Sequence, residues 1–150
     1  MGSFSDFLEK RILDNWWGNA TTVVSGNLYI GLATAALSDA TTGITAVEPP
    51  TTSGGNPTAY ARVAVVNNAT NWPNSTGTSP TLKNNGVAFN FPVCTTNWGI
   101  CTDFFIADNI NSSGTGTGQI LGWGTLTTPK TISSGDSASF AINAISITLD

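Results

Sequence analysis

Residues 86–91 read GVAFNF and residues 100–107 read ICTDFFIA, and these two runs indicate the fold. In the first run, apolar residues alternate with small or polar ones, which is typical of a strand with one buried face. The second run is mostly apolar but contains the acidic Asp103. A turn is expected around Asn97, Trp98 and Gly99, so the two runs are predicted to pair as a hairpin or to lie in facing sheets.

Further strand-like runs lie on both sides of this pair. They cover residues 28–34, 59–66, 119–125 and 137–149. The last run needs a kink near Asn143 and Ala144 to keep its apolar residues on one face. Residues 37–58 and 67–83 lack a periodic apolar face and are predicted to be two long loops. The remaining connections are a turn at 111–118 and a tight connection at 129–136.

The composition agrees with β structure. Only 9% of the 150 residues are charged, whereas about 25% is usual in soluble domains. Thr, Ser and Asn together make up about a third of the chain, and these residues favour strands and turns. We therefore predict an all-β fold, a single jelly-roll-like β-sandwich of about seven to eight strands.

The first eighteen residues differ in kind from the rest, because they hold more than a third of the charged groups. Apolar residues recur at helical spacing, which predicts an amphipathic helix over residues 5–17. Ser3 and Asp6 resemble a capping box, and Gly18 stands where a helix would end. The predicted organisation is this helix in residues 1–18, followed by the sandwich in 19–150.

The helix has two possible roles. It covers one open end of the β domain, or its aromatic residues anchor it to a neighbouring subunit, as aromatic side chains do at interface hot spots. Under the second interpretation the candidate interface residues are Phe4, Phe7, Trp16 and Trp17.

The neighbouring sequence predicts which of the other three tryptophans are buried and which is exposed. Trp98 and Trp123 lie within strong strand patterns and are predicted to be buried. Trp72 lies on a polar loop, so it is the ring expected to be exposed and is a fifth interface candidate. An exposed ring of this kind is also what a sugar-binding module would use as a stacking platform.

The residue types exclude several kinds of chemistry. The chain has no histidine, which removes His-based nucleophilic constellations and metal sites. The acids that a glycosidase could use show no close pair on a clear strand face; they are Asp39, Glu48, Asp103, Asp108 and Asp136. No catalytic residue, cofactor or metal is predicted. The glycine-rich stretch 114–118 lacks the following Lys of a phosphate loop and is interpreted as a turn.

Two smaller features leave alternatives open. Cys94 and Cys101 flank the predicted turn and could form a disulfide, or they could be buried thiols that act as small apolar side chains. Asp103 and Asp108 could contribute to a Ca²⁺ site, but no acid-dense loop accompanies them. Asp108 is more simply a turn cap.

Charge and hydropathy exclude two classes of partner. The net charge is −4 with only five Lys and Arg residues, too few to neutralise many phosphates, so nucleic-acid binding is not expected. No apolar run approaches the roughly 20 residues that span a bilayer, and no signal sequence is evident. Membrane association is not expected either.

Several segments together resemble a family of small virion structural proteins of tailed phages. The similarity rests on LYIGLAT from Leu28, VAFNFP from Val87, and above all WGTLTTPKTISSGD from Trp123 to Asp136. Members are labelled tail-fibre or minor structural proteins, and some act as capsid cement. The chain departs from the family pattern at Phe104–Asp108, and Cys94 and Cys101 stand where small apolar residues are usual, which favours core thiols.

The resemblance implies no enzyme activity and a place in the virion after synthesis in the host cytoplasm. Our leading hypothesis is a capsid decoration or cement protein that forms homotrimers on the capsid surface and contacts the major capsid protein. The alternative is a tail, baseplate or fibre component that binds host glycans.

Overall fold

A computed structural model describes residues 3–17, 26–43, 45–77, 80–110 and 118–149. In these residues the chain forms one helix, α1 (Asp6–Trp17), and is otherwise built of strands and their connections. The strands are β1 (Ser3–Phe4), β2 (Asn27–Ala33), β3 (Thr52–Ser53), β4 (Asn56–Pro57), β5 (Val63–Val66), β6 (Thr81–Asn84), β7 (Phe89–Asn90), β8 (Gly99–Ala107), β9 (Ile120–Ile132), β10 (Ser139–Phe140) and β11 (Ser146–Leu149).

The largest sheet has five strands in the order β1-β9-β8-β2-β5, and every neighbouring pair is antiparallel. Three two-stranded antiparallel sheets accompany it, namely β10-β7, β11-β6 and β3-β4. The predicted β-rich class with one helix is therefore confirmed. These pairings do not establish a single jelly-roll sandwich.

Two glycines let aromatic rings lie directly on the central strands. A Cβ added at Gly31 of β2 would lie 2.1 Å from Cζ of Phe105, which is on the neighbouring β8. A Cβ at Gly124 of β9 would lie 2.8 Å from Cε1 of Phe104. Both positions therefore need glycine because a ring occupies the space of the side chain.

Strand β9 is longer than predicted and is interrupted by a bulge. Cys101 pairs with Lys130 and Asp103 with Thr125, so four residues of β9 lie opposite Thr102 alone. Pro129 lies within this bulge, where a missing N–H removes no ladder hydrogen bond. The predicted connection at 129–136 is thus wrong in its first half, because pairing resumes through Ile132 before the chain turns.

Of the two arrangements predicted for 86–91 and 100–107, a hairpin or a position in facing sheets, the hairpin is wrong. The chain after β7 runs beside residues 132–138 instead: the N–H groups of Phe91, Cys94 and Trp98 donate to the carbonyls of Ala138, Asp136 and Ile132 at 2.9, 2.8 and 3.0 Å. Strand β7 accordingly pairs with β10 and lies in a different sheet from β8.

The predicted kink in the last run is confirmed. Asn143 has a φ of 63°, a left-handed conformation that asparagine tolerates better than most residues. The fully buried Asn85 stabilises this break, since its side-chain amide donates to Ala141 O at 2.8 Å and accepts from Ile145 N–H at 2.8 Å. The run is thereby divided between β10 and β11.

The two long loops are less irregular than predicted, because the first contains the β3–β4 hairpin and the second ends in β6. Strand β5 begins only at Val63, since Ala59 has a φ of 60° that interrupts the extended run. The buried side chains form two apolar clusters. The larger includes Ile30, Tyr60, Trp72, Phe89, Phe91, Trp98 and Ile145, and the smaller includes Ala33, Leu37, Ala46, Phe105, Ala107 and Ile120.

Candidate functional site

Helix α1 is attached to the sheet through the residue before it. Ser5 is 2% exposed, and its Oγ accepts a hydrogen bond from Leu8 N–H at 3.3 Å, which is an N-cap interaction. The same hydroxyl donates to the carbonyl of Ile120 in β9. The capping residue is therefore Ser5, and the predicted capping box of Ser3 and Asp6 is wrong because Ser3 belongs to β1.

The apolar residues of α1 are only partly covered. Phe7, Leu8 and Ile12 are of intermediate exposure, as is Phe4 in the preceding β1, while Leu13 is 58% exposed and Trp17 is 81% exposed. The side chain of the candidate Trp16 lies outside the described part of the structure, although its backbone is helical. Among the described apolar side chains of this helix, none is fully buried.

Trp72, the fifth interface candidate, is not on the surface. It is 4% exposed, and its ring packs against Phe89 at a centroid distance of 5.4 Å. The expectation of an exposed ring is wrong because the loop folds back on β7, a contact between residues distant in sequence. Trp72 therefore offers no stacking platform for a sugar.

The other two tryptophans pack inward. Trp98 is 1% exposed and its Nε1–H donates to Thr58 O at 2.7 Å, which confirms the predicted burial. Trp123 is half-buried against the smaller apolar cluster. Trp123 lies within β9, whereas Trp98 directly precedes β8.

A buried ion pair that was not predicted from the sequence joins the first long loop to the residue before β5. The side chains of Glu48 and Arg62 are both 0% exposed, and Arg62 Nη2 lies 2.6 Å from Glu48 Oε1. The Nε–H group lies 3.2 and 3.1 Å from the two carboxylate oxygens. This forked contact is the geometry in which Arg and a carboxylate bind most strongly.

Arg62 makes further hydrogen bonds through both Nη groups of its guanidinium. Nη1 donates to Asn109 O at 2.8 Å and Nη2 to Gly43 O at 2.9 Å. The guanidinium carbon lies 4.9 Å from the centroid of the Phe105 ring, within cation–π range. Arg62 thus joins the first long loop, the segment after β8 and the central sheet.

Tyr60 completes this network. Its hydroxyl lies 2.7 Å from Glu48 Oε2, to which it donates, and it accepts from Leu32 N–H at 3.0 Å. Burial, and then the neighbouring Glu48 carboxylate, raise the pKa of Tyr60 well above its usual value of 10.0. The group therefore stays neutral and donates at any ordinary pH. The signal available in the sequence was Arg62, the one charged residue of the run 59–66, two residues after Tyr60.

Three of the other acids considered for catalysis, Asp103, Asp108 and Asp136, each have a structural partner. Asp103 is 2% exposed and accepts from the hydroxyls of Thr102 and Thr125 at 2.7 and 3.0 Å. Asp108 accepts from Gln119 N–H at 2.7 Å, which confirms the predicted turn cap. Asp136 accepts from Ser133 N–H at 2.9 Å in the turn after β9. In the described ranges, no three potential metal-ligating side chains come together.

The cysteines are free thiols, both buried. Cys94 donates to Thr96 O at 3.1 Å. Burial and the nearby Cys94 raise the pKa of Cys101 to about 11, so its thiol is protonated at neutral pH and is a poor nucleophile. The interpretation as core thiols is confirmed. The glycine-rich turn lies, up to Thr117, outside the described residues.

The fold and these contacts define the class: a β-rich module whose buried carboxylates are hydrogen-bonded, with an amphipathic helix whose apolar side is only half covered. A family model described as "Podophage GP4 fiber I protein gp80" matches residues 3–148. The chain belongs to this family and is a structural protein of a phage virion. No curated protein matches the chain. Within the described ranges, no helix has the length and apolar character needed to cross a bilayer.

Proposed function

We propose that the chain is a subunit of a phage fibre and that helix α1 is the surface on which it associates with a second copy of itself. The fibre description of the family supports this over the capsid decoration role and its contact with the major capsid protein. A fibre is built from repeated subunits, and closed cyclic symmetry is the usual arrangement of identical chains. A trimer remains the expected stoichiometry.

The half-covered helix is the observation that carries this proposal. An amphipathic helix in a monomeric domain normally buries a continuous apolar stripe against the core. In α1 the described apolar side chains are at best half-buried, and Trp17 at the end of the helix is 81% exposed. Burying such side chains against a neighbour stabilises an interface by about 1.5–3 kcal/mol each, and tryptophan is enriched among the residues that dominate binding.

The charges of α1 fit the rim of such an interface. Asp6, Glu9 and Lys10 are exposed, and Lys10 pairs with Asp14 at 3.0 Å one helical turn away. Exposed pairs of this kind contribute little to stability. Their role in the proposal is to keep an apolar helix soluble before association and to orient the subunits afterwards.

The mechanism is association, without catalysis. The chain contains no histidine, and Glu48, Asp103, Asp108 and Asp136 all hold structural hydrogen bonds. These observations support a non-enzymatic role.

The association surface is tested by measuring the molar mass of the full chain by light scattering after size-exclusion chromatography. We expect an oligomer for the parent protein, with dissociation in the Trp17→Ser and Leu13→Ser variants. Ile142→Ser is the matched control, because Ile142 and Leu13 are both 58% exposed and have isomeric side chains. A monomeric parent, or equal dissociation in the control, would contradict the role of α1.

The position in the virion is tested separately by cryo-electron microscopy of intact particles. A fibre subunit is expected as density in a few copies attached to the tail. Density in many symmetric copies over the capsid would instead establish decoration.

A further inference from the structure

We propose that the dipeptide of Asn85 and Gly86 is a site of self-modification, which the completed fold protects and an incomplete fold leaves open. An asparagine followed by glycine loses its side-chain amide in a flexible chain, because the backbone nitrogen of glycine is unhindered and reaches the side-chain carbonyl carbon. This is the single Asn-Gly pair of the chain. The inference concerns which chains reach the native fold, so it goes beyond the association of subunits through α1.

The fold requires asparagine at position 85. Its side chain is 0% exposed, and both atoms of its amide are in use: Nδ2 donates to Val87 O and Ala141 O, both at 2.8 Å, and Oδ1 accepts from Ile145 N–H at 2.8 Å. A carboxylate here has no hydrogen to donate, and its charge would lie buried against two carbonyl oxygens. Even a protonated carboxyl has one donor where the fold uses two.

The fold also requires glycine at position 86. A Cβ built on Gly86 would lie 2.3 Å from Thr70 O and 2.7 Å from Pro73 Cγ. The nearer of these atoms belongs to the backbone, which does not move aside as a flexible side chain does. Because neither residue is replaceable, the chain carries a reactive dipeptide at a buried position and depends on the fold to restrain it.

The reaction consumes only water. The backbone nitrogen of Gly86 forms a bond to Cγ of Asn85, the bond from Cγ to Nδ2 breaks, and Nδ2 leaves as ammonia with the proton that the nitrogen gives up. The product is a five-membered succinimide ring. Water then opens the ring at Cγ, which yields aspartate, or at the backbone carbonyl carbon, which yields isoaspartate with the chain running through the former side chain.

In the folded chain both reacting groups are held by other partners. Gly86 N–H donates to Asn71 O at 2.8 Å, and the Asn85 amide is fixed by the three hydrogen bonds given above. The backbone of Asn85 is paired as well, since its N–H donates to Ile145 O at 3.2 Å and its carbonyl accepts from Asn143 N–H at 3.0 Å. Ring closure therefore requires local unfolding of this segment.

The partners that protect Asn85 come late in the chain. Ala141 and Ile145 lie 56 and 60 residues after it, on either side of the break between β10 and β11. Until that segment docks, the dipeptide lacks these restraints. A chain that folds promptly keeps its amide, whereas one that remains incomplete is converted to a form without the two donors. The site thereby removes slow chains from the subunits that can assemble.

The protection is tested by incubating the purified full chain in neutral buffer with and without a denaturing concentration of urea. The peptide that contains Asn85 is followed by mass spectrometry, which detects the replacement of NH by O, and isoaspartate is measured by enzymatic methylation. We expect loss of the amide to be at least about tenfold slower in the folded protein, because it waits for a rarely populated opening. Equal rates with and without urea would overturn the proposal.

The consequence for folding is tested with Asn85→Asp, which is one of the two products. We expect this variant to be recovered as unfolded or aggregated protein in size-exclusion chromatography and circular dichroism. Asn90→Asp is the matched control, because Asn90 in β7 is exposed and the substitution adds the same charge; it should elute and unfold like the parent. An Asn85→Asp protein that behaves like Asn90→Asp contradicts the proposal. Neither experiment bears on the mass measurement that tests α1.

Discussion

The cluster around Arg62 and helix α1 hold charged residues in opposite situations. The side chains of Glu48 and Arg62 are 0% exposed and bond to each other, whereas Asp6, Glu9 and Lys10 of α1 lie in solvent. A buried pair fixes the segments that carry it, because any rearrangement leaves a charge without a partner. Charges in water impose no such constraint. The difference indicates that the first region maintains the fold and the second serves contacts outside it.

Arg62→Met tests the difference between these two regions most directly. The variant leaves the Glu48 carboxylate buried without its partner, and we expect the free energy of unfolding to fall by about 3–5 kcal/mol in urea denaturation. The matched surface change, Lys10→Met, should alter it by less than about 0.5 kcal/mol. Similar losses in both variants would contradict the distinction.

Adding Glu48→Gln to Arg62→Met sharpens this test. The double variant has no unpaired buried charge, so it should be more stable than the sum of the two single losses predicts. Strict additivity would mean that the pair does not act as a unit.

The next test compares two buried tryptophans. Trp98 Nε1–H donates to Thr58 O at 2.7 Å, whereas Trp72 Nε1 has no hydrogen-bond partner among the described residues. Trp98→Phe should therefore lower the free energy of unfolding by about 1 kcal/mol more than Trp72→Phe, because it removes a buried hydrogen bond and leaves Thr58 O with the longer one from Thr95 N–H at 3.2 Å. Equal losses in thermal or urea unfolding would show that packing alone matters at Trp98.

Alkaline pH should weaken the network through Tyr60, because its pKa is raised in the folded state. Above about pH 10 the unfolded chain releases a proton that the folded chain retains, so the free energy of unfolding falls by up to about 1.4 kcal/mol per pH unit. Below that pH both states keep the proton and the contribution is constant. Urea unfolding of Tyr60→Phe should show a shallower decline than the parent, and parallel declines would disprove the assignment.

The smallest change in the free energy of unfolding is expected for a substitution on α1. Trp17→Ser removes a side chain that is 81% exposed and should change the free energy of unfolding of dilute, dissociated protein by less than about 0.5 kcal/mol. A loss above about 2 kcal/mol would show that the helix supports the fold itself.

The sequence predicted what depends on local pattern. The helix predicted for 5–17 is observed as Asp6–Trp17, and the strand predicted for 28–34 is observed as Asn27–Ala33. The kink at Asn143 followed from the need to keep one face buried. In each case neighbouring residues contain the whole signal.

Contacts between residues far apart in the chain were not predicted from the sequence. Glu48 and Arg62 are 14 residues apart, and Asn109 is 47 from Arg62, so no window along the chain reveals their contact. Trp72 was misplaced because Phe89, the ring that covers it, lies beyond the loop. The bulge in β9 was missed because it depends on the register of this strand with β8.

The break at Asn143 has a consequence for the order of folding. Strands β10 and β11 pair with β7 and β6, and Ile145 N–H bonds to Asn85 Oδ1 across 60 residues. Residues 81–90 must therefore wait for partners that leave the ribosome much later, and pairings of such long range are slow to form. Until they form, β6 and β7 expose unpaired edges, the state in which newly made subunits are most prone to aggregate.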